Sequence, residues 1–411
     1  MSRGTPGATM LPRYRGLGGC RGHNAPPLSG AGGCRGHNVP PLSGEGLPGP
    51  ERIMSSTVMV LLALIVLCAI AFDSSNGMND ISGILAAPLA TGSIRPAAAR
   101  IVVLSGVICG PFVAQAVVAR AYGSGIVRLP GGPQRLAPAL LVLLLGLVGA
   151  TLWNLLARWR GWPTSSSHAL VGALIGAAII ANPHWSAVQW GWSETLKTGR
   201  LQHVMKVFAA LFFSPLAGAA AGWIACMALH RALRRAHVCV MSGLHALQVL
   251  TLWVQGLSYG MNDAQKTMGV LGAAFLVISP HGLAAYAHRG VMGVPIWIKL
   301  LSVSSISFGA CIGSVNIFKK LGSGVFHIHV TEALAAQLSS AAVVLGAASM
   351  GGPVSSTQVL ASAIVGGGSA TRRRAVRWAT VAAILKSWFI TIPGAAAMSA
   401  VLMVIAQHLI K

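Results

Sequence analysis

Acidic residues are almost missing from this chain. Of 411 residues only 7 are Asp or Glu, and charged residues of both signs reach 9%, against about 25% in an ordinary soluble domain. A water-soluble enzyme is excluded on that ground. Aromatic residues make up 6%, and the 7 cysteines are scattered with no C-x-x-C pair. The cysteines therefore read as packing residues, with no disulfide framework and no metal site expected. A P-loop, a Gly-rich dinucleotide fingerprint and a nucleophile–base arrangement are also lacking, which speaks against catalysis and against ATP-driven work by this chain alone.

Apolar sequence fills the space. Hydrophobic residues are 54% of the chain and the mean hydropathy is +0.69, so the chain reads as an all-α polytopic membrane protein. Apolar segments fall near 57–72, 96–119, 138–157, 168–181, 207–230, 240–257, 264–278, 291–315, 333–350, 358–367 and 376–408. Several are shorter than the roughly 20 residues a crossing helix needs. The net charge of +23 comes from short basic clusters between these runs, such as Arg231, Arg234 and Arg235, or Arg372, Arg373, Arg374 and Arg377. Clusters so placed look like cytoplasmic loops rather than a nucleic-acid surface, and no nucleic acid is expected as a partner.

Residues 1–53 differ from the rest. They are rich in Gly, Pro, Arg and Ser and carry a tandem unit, GGCRGHNAPPLSGA from Gly18 and GGCRGHNVPPLSGE from Gly32. Such sequence cannot bury a core, so a disordered tail is expected, with the Cys and His of each unit not taken as metal ligands. Met54 opens a run that reads as a membrane-protein start, and the tail is expected to be dispensable.

Two kinds of polar knot recur in order. Gly77-Met78-Asn79-Asp80 returns 183 positions later as Gly260-Met261-Asn262-Asp263, and Pro163-Thr164-Ser165-Ser166-Ser167-His168 returns 190 positions later as Pro353-Val354-Ser355-Ser356-Thr357-Gln358. The chain thus contains a duplicated unit, which divides it into a tail (1–53), a first transmembrane repeat (54–200), a connecting helix and basic loop (201–239) and a second repeat (240–411). The stretches 81–91, 168–181, 264–278 and 358–367 each follow a knot, the pattern of broken or re-entrant helices.

From residue 54 on there are five acids, Asp73, Asp80, Glu194, Asp263 and Glu332, and two of them occupy the matched positions. A carboxylate is costly in hydrocarbon, so Asp80 and Asp263, with Asn79 and Asn262, are expected to couple a cation, as Na⁺ ligands or proton carriers. The alternative is a capping Asn-Asp pair at each break. The Ser/Thr knots have the opposite preference. A helix N-terminus presents unpaired N–H groups and a positive dipole end, so Ser165, Ser166, Ser167, Ser355, Ser356 and Thr357 suit a tetrahedral oxyanion. His168 and Gln358 follow at the next position and are counted with the same anion-binding set, His168 bonding the anion, carrying a proton or making a structural hydrogen bond. Gln265, Lys266 and Thr267, directly after Asp263, are counted with the anion-binding set, Lys266 either contacting the anion or pairing with Asp263 one turn back.

These motifs resemble the PiT family of inorganic phosphate transporters. The resemblance rests on GMNDAQKTMG (Gly260–Gly269), GWPTSSSHALVGALIG (Gly161–Gly176), FFSPLAG (Phe212–Gly218) and GGPVSSTQVLASAIVG (Gly351–Gly366) with AVRW (Ala375–Trp378), and covers nearly everything from residue 57 onward. It implies a bundle of two inverted repeats and symport of phosphate with Na⁺ or H⁺, the phosphate travelling free or as a metal–phosphate complex, with no cofactor beyond the co-ion. The first repeat departs from the family pattern N-D-x-A-N, reading Asn79-Asp80-Ile81-Ser82-Gly83, and Tyr259 stands where many relatives resemble a His. Symport of another oxyanion such as sulfate, or an anion channel, stays open. The expected setting is the inner or plasma membrane, with the bilayer as partner and a homo-oligomer compatible. Removal of residues 1–53 should leave insertion and phosphate uptake unchanged; a truncated protein that inserts but no longer transports would contradict the reading of the tail.

Overall fold

The computed structural model describes residues 56–114, 116–129, 135–237, 239–278, 294–313 and 328–410. All lie in one compact unit, residues 51–411, and the expectation made for 1–53 falls outside the described residues. Thirteen α-helices carry the chain among the described residues: α1 (Ser56–Ile84), α2 (Ala86–Ala90), α3 (Pro96–Val113), α4 (Val117–Ser124), α5 (Leu136–Arg160), α6 (Ser166–Ala181), α7 (Trp192–Thr198), α8 (His203–Leu233), α9 (Val240–Ile278), α10 (Ile296–Ile312), α11 (Val330–Ser349), α12 (Ser356–Arg372) and α13 (Trp378–Ile410). The only extended pairing described is a single bridge between Val127 and Val188. Seven of these helices, α1, α3, α5, α8, α9, α11 and α13, are long and apolar enough to cross a bilayer. Their outward faces carry large apolar side chains such as Leu67, Ile101, Phe213, Ile224 and Phe389, as lipid contact requires.

One expectation is corrected here. The Gly77–Asp80 and Gly260–Asp263 knots do not interrupt their helices, since α1 and α9 run unbroken through them. A helix tolerates Gly and Asn at modest cost when tertiary contacts hold it. Both knots are held in this way by the glycine contacts described below.

The Ser/Thr knots do start helices, by the same local chemistry twice. Gly161 (φ +63°) and Gly351 (φ +69°) take left-handed conformations at the ends of α5 and α11, which glycine adopts without steric penalty. A proline follows two residues on, and then Ser165 or Ser355 caps the next helix, its hydroxyl accepting from the backbone N–H of His168 (3.3 Å) or Gln358 (3.4 Å). The helices so begun, α6 and α12, have 16 and 17 residues, about 24–26 Å at 1.5 Å per residue, short of a bilayer's roughly 30 Å core.

Packing follows one plan in both halves. Helix α1 packs on α10, and α9 packs on α3. Helix α6 packs on α13, and α12 packs on α8; α1 and α9 each pack on the middle helix of their own half, α5 or α11. Every pair has its counterpart when the halves are exchanged. In this exchange α8 takes the part that α13 takes in the second half.

Glycines line the seams between halves. A Cβ on Gly309 would stand 1.9 Å from Ser74 O, one on Gly260 2.3 Å from Val107 O, one on Gly176 2.1 Å from Ala396 O and one on Gly222 2.3 Å from Ala363 O. The backbones touch, as small residues permit between membrane helices. Along each seam the residue numbers rise together, Val103 with Gly256 and Val107 with Gly260, or Ile392 with Gly172 and Ala396 with Gly176, so the paired helices run parallel. Gly309→Ala should therefore push α1 from α10 and cost about 1–3 kcal/mol, read as a lower melting temperature of the purified protein. Gly243→Ala, with nothing within 4 Å, should be neutral or slightly stabilising; equal loss in both would contradict the seam argument.

Candidate functional site

The two capped helix starts and the two acid-bearing helices converge on one buried cluster. Asp263, fully buried on α9, accepts from Lys266 of the same helix, from Ser356 at the first turn of α12 and from Asn262 Nδ2 at 3.0 Å. Lys266 also donates to Ser166 Oγ at 2.9 Å, and Ser166, at the first turn of α6, donates to Asp80 Oδ2 on α1 at 3.3 Å. An unbroken chain of polar contacts thus runs from the acid of one half to the acid of the other, through a helix start of each.

The backbone between the knots is tied in as well. Asn262 Nδ2 donates to Val354 O at 2.8 Å and its Oδ1 accepts from Val354 N at 3.3 Å. Ser167 Oγ donates to the same Val354 carbonyl at 3.1 Å. The two helix starts therefore lie against each other. His168 Nδ1 sits 2.8 Å from Ser165 Oγ and 3.4 Å from Gln358 Nε2, bringing the matched positions 168 and 358 together. These two also floor an apolar crevice lined by Leu211, Phe212, Trp388 and Phe389.

The residues singled out in the sequence are not all at the centre. Gln265 turns outward from it, accepting from the backbone N–H of Ala119 at 3.0 Å and donating to Met261 O at 2.7 Å. Thr267 donates to Asp73. Ser355 and Thr357 hydroxyls lie 3.3 Å apart beside the α12 start. Asn79 is half-buried, with its Oδ1 shielded and unpartnered in the described structure.

Chemically the cluster joins opposite functions. Three carboxylates, Asp73, Asp80 and Asp263, face one ammonium, all buried, and charges in a low-dielectric interior are tolerated only when paired or hydrogen-bonded. The first-turn N–H groups of Ser166 and Ser167, and of Ser356 and Thr357, have no partner within their own helices, because a helix's first N–H groups never do. With the hydroxyls they form donor sets suited to an anion's oxygens.

The sequence matches the phosphate transporter family, PHO4, over residues 76–399. The chain belongs to that family. As a member of it, the protein is a transport protein and not an enzyme, and it is an integral membrane protein of several passes. The match takes in all four knots. A Bacillus subtilis (strain 168) protein described as "Probable low-affinity inorganic phosphate transporter" is 30% identical over 345 residues, 84% of this chain and 96% of the relative. A Mycobacterium bovis protein with the same description is 31% identical over 338 residues, 82% of this chain and 75% of the relative. A solved structure described as "The sodium-dependent phosphate transporter" superposes with a TM-score of 0.65 at 19% identity, covering 85% of this chain and 99% of that one; at that identity it speaks for the fold.

Two buried residues beside this cluster escaped the sequence reading. Asp73 has no counterpart in the other half, yet its carboxylate accepts from Thr267 and so joins α1 to α9. Asn76 is fully buried, and neither end of its amide has a partner in the described structure. The signal was helical spacing: 73, 76 and 80 share one face of α1. Glu332, by contrast, caps α11, accepting from His329 N at 3.2 Å, with His230 at 3.8 Å. Ser166→Ala removes the hydroxyl shared by Asp80 and Lys266. A hydrogen bond to a charged group is worth about 1.5–3 kcal/mol, so the purified protein should lose stability of that order, read as a lower melting temperature. Ser105→Ala, whose hydroxyl bonds its own helix on the exposed face, should change stability by about 0.5 kcal/mol or less.

Proposed function

We propose that this protein is a secondary active symporter of inorganic phosphate in the cell membrane, driven by Na⁺ or H⁺, working by alternating access between two inverted repeats. The observation that carries the proposal is the meeting of two helix N-termini with two matched acids in one buried cluster, Ser166 against Asp80 and Ser356 against Asp263. In this reading the donors at the starts of α6 and α12 bind the phosphate oxygens. Asp80 and Asp263, with Asn79 and Asn262, are the residues that couple transport to the driving cation. Phosphate is the substrate that the described functions of the relatives suggest, free or as a metal–phosphate complex.

Inversion is supported by chain directions. Helix α13 runs parallel to α6, while a turn of five residues (373–377) sends the chain from α12 into α13. Read as a reversal of chain direction, that turn makes α6 and α12 point away from each other from a shared start. Helices α8 and α12 run parallel, so the basic residues at the end of α8 (Arg231, Arg234, Arg235) and at the end of α12 (Arg372–Arg374, Arg377) belong to one side, which in this reading faces the cytoplasm. Each ligand is then reached from opposite sides as one repeat rocks against the other.

Coupling follows from electrostatics. A cation and an anion a few ångströms apart in a poorly screened site each lower the other's desolvation cost, and this mutual effect is a coupling free energy. Asp80→Asn and Asp263→Asn keep the shape and remove the charge. In proteoliposomes carrying radiolabelled phosphate, each should lower gradient-driven accumulation at least tenfold, about 1.4 kcal/mol of lost coupling, while Glu332→Gln, outside the site, should not. Arsenate should compete with phosphate and sulfate should not. Competition by sulfate alone, or full accumulation by both Asp variants, contradicts the proposal.

A further inference from the structure

The two acid sites are built differently. Asp263 is closed on both oxygens: Oδ1 accepts from Lys266, and Oδ2 accepts from Ser356 and from Asn262 at 3.0 Å. Asn262 is committed at both ends of its amide, to Val354 N and O. Both oxygens of Asp263 and both ends of the Asn262 amide are thus already taken. The first half is open by comparison. Asp80 accepts from Ser166 at a long 3.3 Å, the Asn79 Oδ1 is unpartnered in the described structure, and so are both ends of the Asn76 amide, which is 0% exposed and one helical turn before Asp80.

The sequence gives the reason. With the repeats aligned at their acids, the position of Lys266 in the second half is that of Gly83 in the first. One half carries a cation on a four-carbon stem, and the other has no side chain there at all. Lys266 is fully buried, and it lies three residues from Asp263 on the uninterrupted helix α9, so the backbone itself keeps the pair together. Such a cation neutralises the acid at every stage of a cycle and cannot leave with the substrate. Its second bond, to Ser166 on α6, places the same positive charge at the start of the opposite repeat's anion-binding helix, where it compensates phosphate charge as a mobile ion does.

We propose that Lys266 is a tethered cation that fills the second acid site, so that a mobile coupling cation binds only in the first half, at Asn76, Asn79 and Asp80. This rests on the reading of Asp80 and Asp263 as the cation-coupling acids. It is a statement about the number of ions, one mobile cation fewer per phosphate than a chain with two open acid sites would carry.

The test counts ions. The full chain is reconstituted in liposomes, and the number of Na⁺ or H⁺ moved per phosphate is obtained from the gradient at which net radiolabelled phosphate flux reverses. Lys266→Gln keeps most of the length and removes the charge, so the count should rise by one. Its phosphate uptake should be weak at low Na⁺ or H⁺ and recover as that cation is raised. The double variant Asp263→Asn/Lys266→Gln removes both charges and should return to the wild-type count at a lower rate. A folded Lys266→Gln protein with the wild-type count, or one that no concentration of either cation rescues, overturns the proposal. Where Lys266→Gln alone does not insert, a double variant that gains a cation overturns it equally. Failure of the underlying reading looks different: Asp80→Asn would then still accumulate phosphate against a gradient.

Discussion

The structure depends on bringing the N-termini of two short helices together inside the protein. A helix start carries unpaired N–H groups and roughly half a positive charge, and two of them face to face repel and lack partners unless something negative lies between. Here the chain itself supplies it. The carboxylate of Asp80 takes the hydroxyl of Ser166, that of Asp263 takes the hydroxyl of Ser356, and the carbonyl of Val354 takes Ser167 and Asn262. The buried acids and the helix starts therefore stabilise each other, and each would be costly alone. A site assembled from groups that all need counter-charge responds to ions: an anion competes for the donors, and a cation competes for the acids.

Around this cluster the glycine seams supply the geometry. Backbone contact at Gly77 with Ile306 and at Gly260 with Val107 brings α1 and α9 each against a helix of the opposite half. Both seams sit within the same turns as the Asn-Asp pairs, so the acids are set by main-chain packing instead of by flexible side chains. That arrangement explains how a Gly-Met-Asn-Asp sequence stays helical. The glycine is required by the neighbouring helix, and the polar groups are required by the cluster.

Much of this was legible in the sequence because duplication marks what matters. Two matched acids and two matched Ser/Thr knots in order give the cluster's centre, and the Gly, Pro and Ser of each knot state in advance where α5 and α11 end and α6 and α12 begin. The unbroken course of α1 and α9 was not legible, since local preference at Gly77 and Gly260 favours a break and only tertiary contact overrides it. Gln265 could not be placed, because spacing does not tell which way a side chain on a buried helix turns when every face is covered; it bonds the N-terminal turn of α4 instead. Asp73 and Asn76 were hidden for another reason. Neither is matched by the same residue type at the aligned position of the other half, Gly256 and Tyr259, so a reading based on repetition passes over them, although they line up with Asp80 on one face of α1. The closed state of Asp263 is likewise a matter of three dimensions, with Ser356 arriving from a residue 93 positions away.

The central claim is that one cluster at the starts of α6 and α12 binds the transported anion. Arsenate tests it most directly, because it copies phosphate in shape and charge and scatters anomalously at the arsenic edge. In crystals of the full chain grown with arsenate, the anomalous peak should lie within hydrogen-bonding reach of Ser165–Ser167 and Ser355–Thr357 and near Lys266. A peak elsewhere at full occupancy, with these hydroxyls still bonded to Asp80 and Asp263 as they are here, would contradict the account.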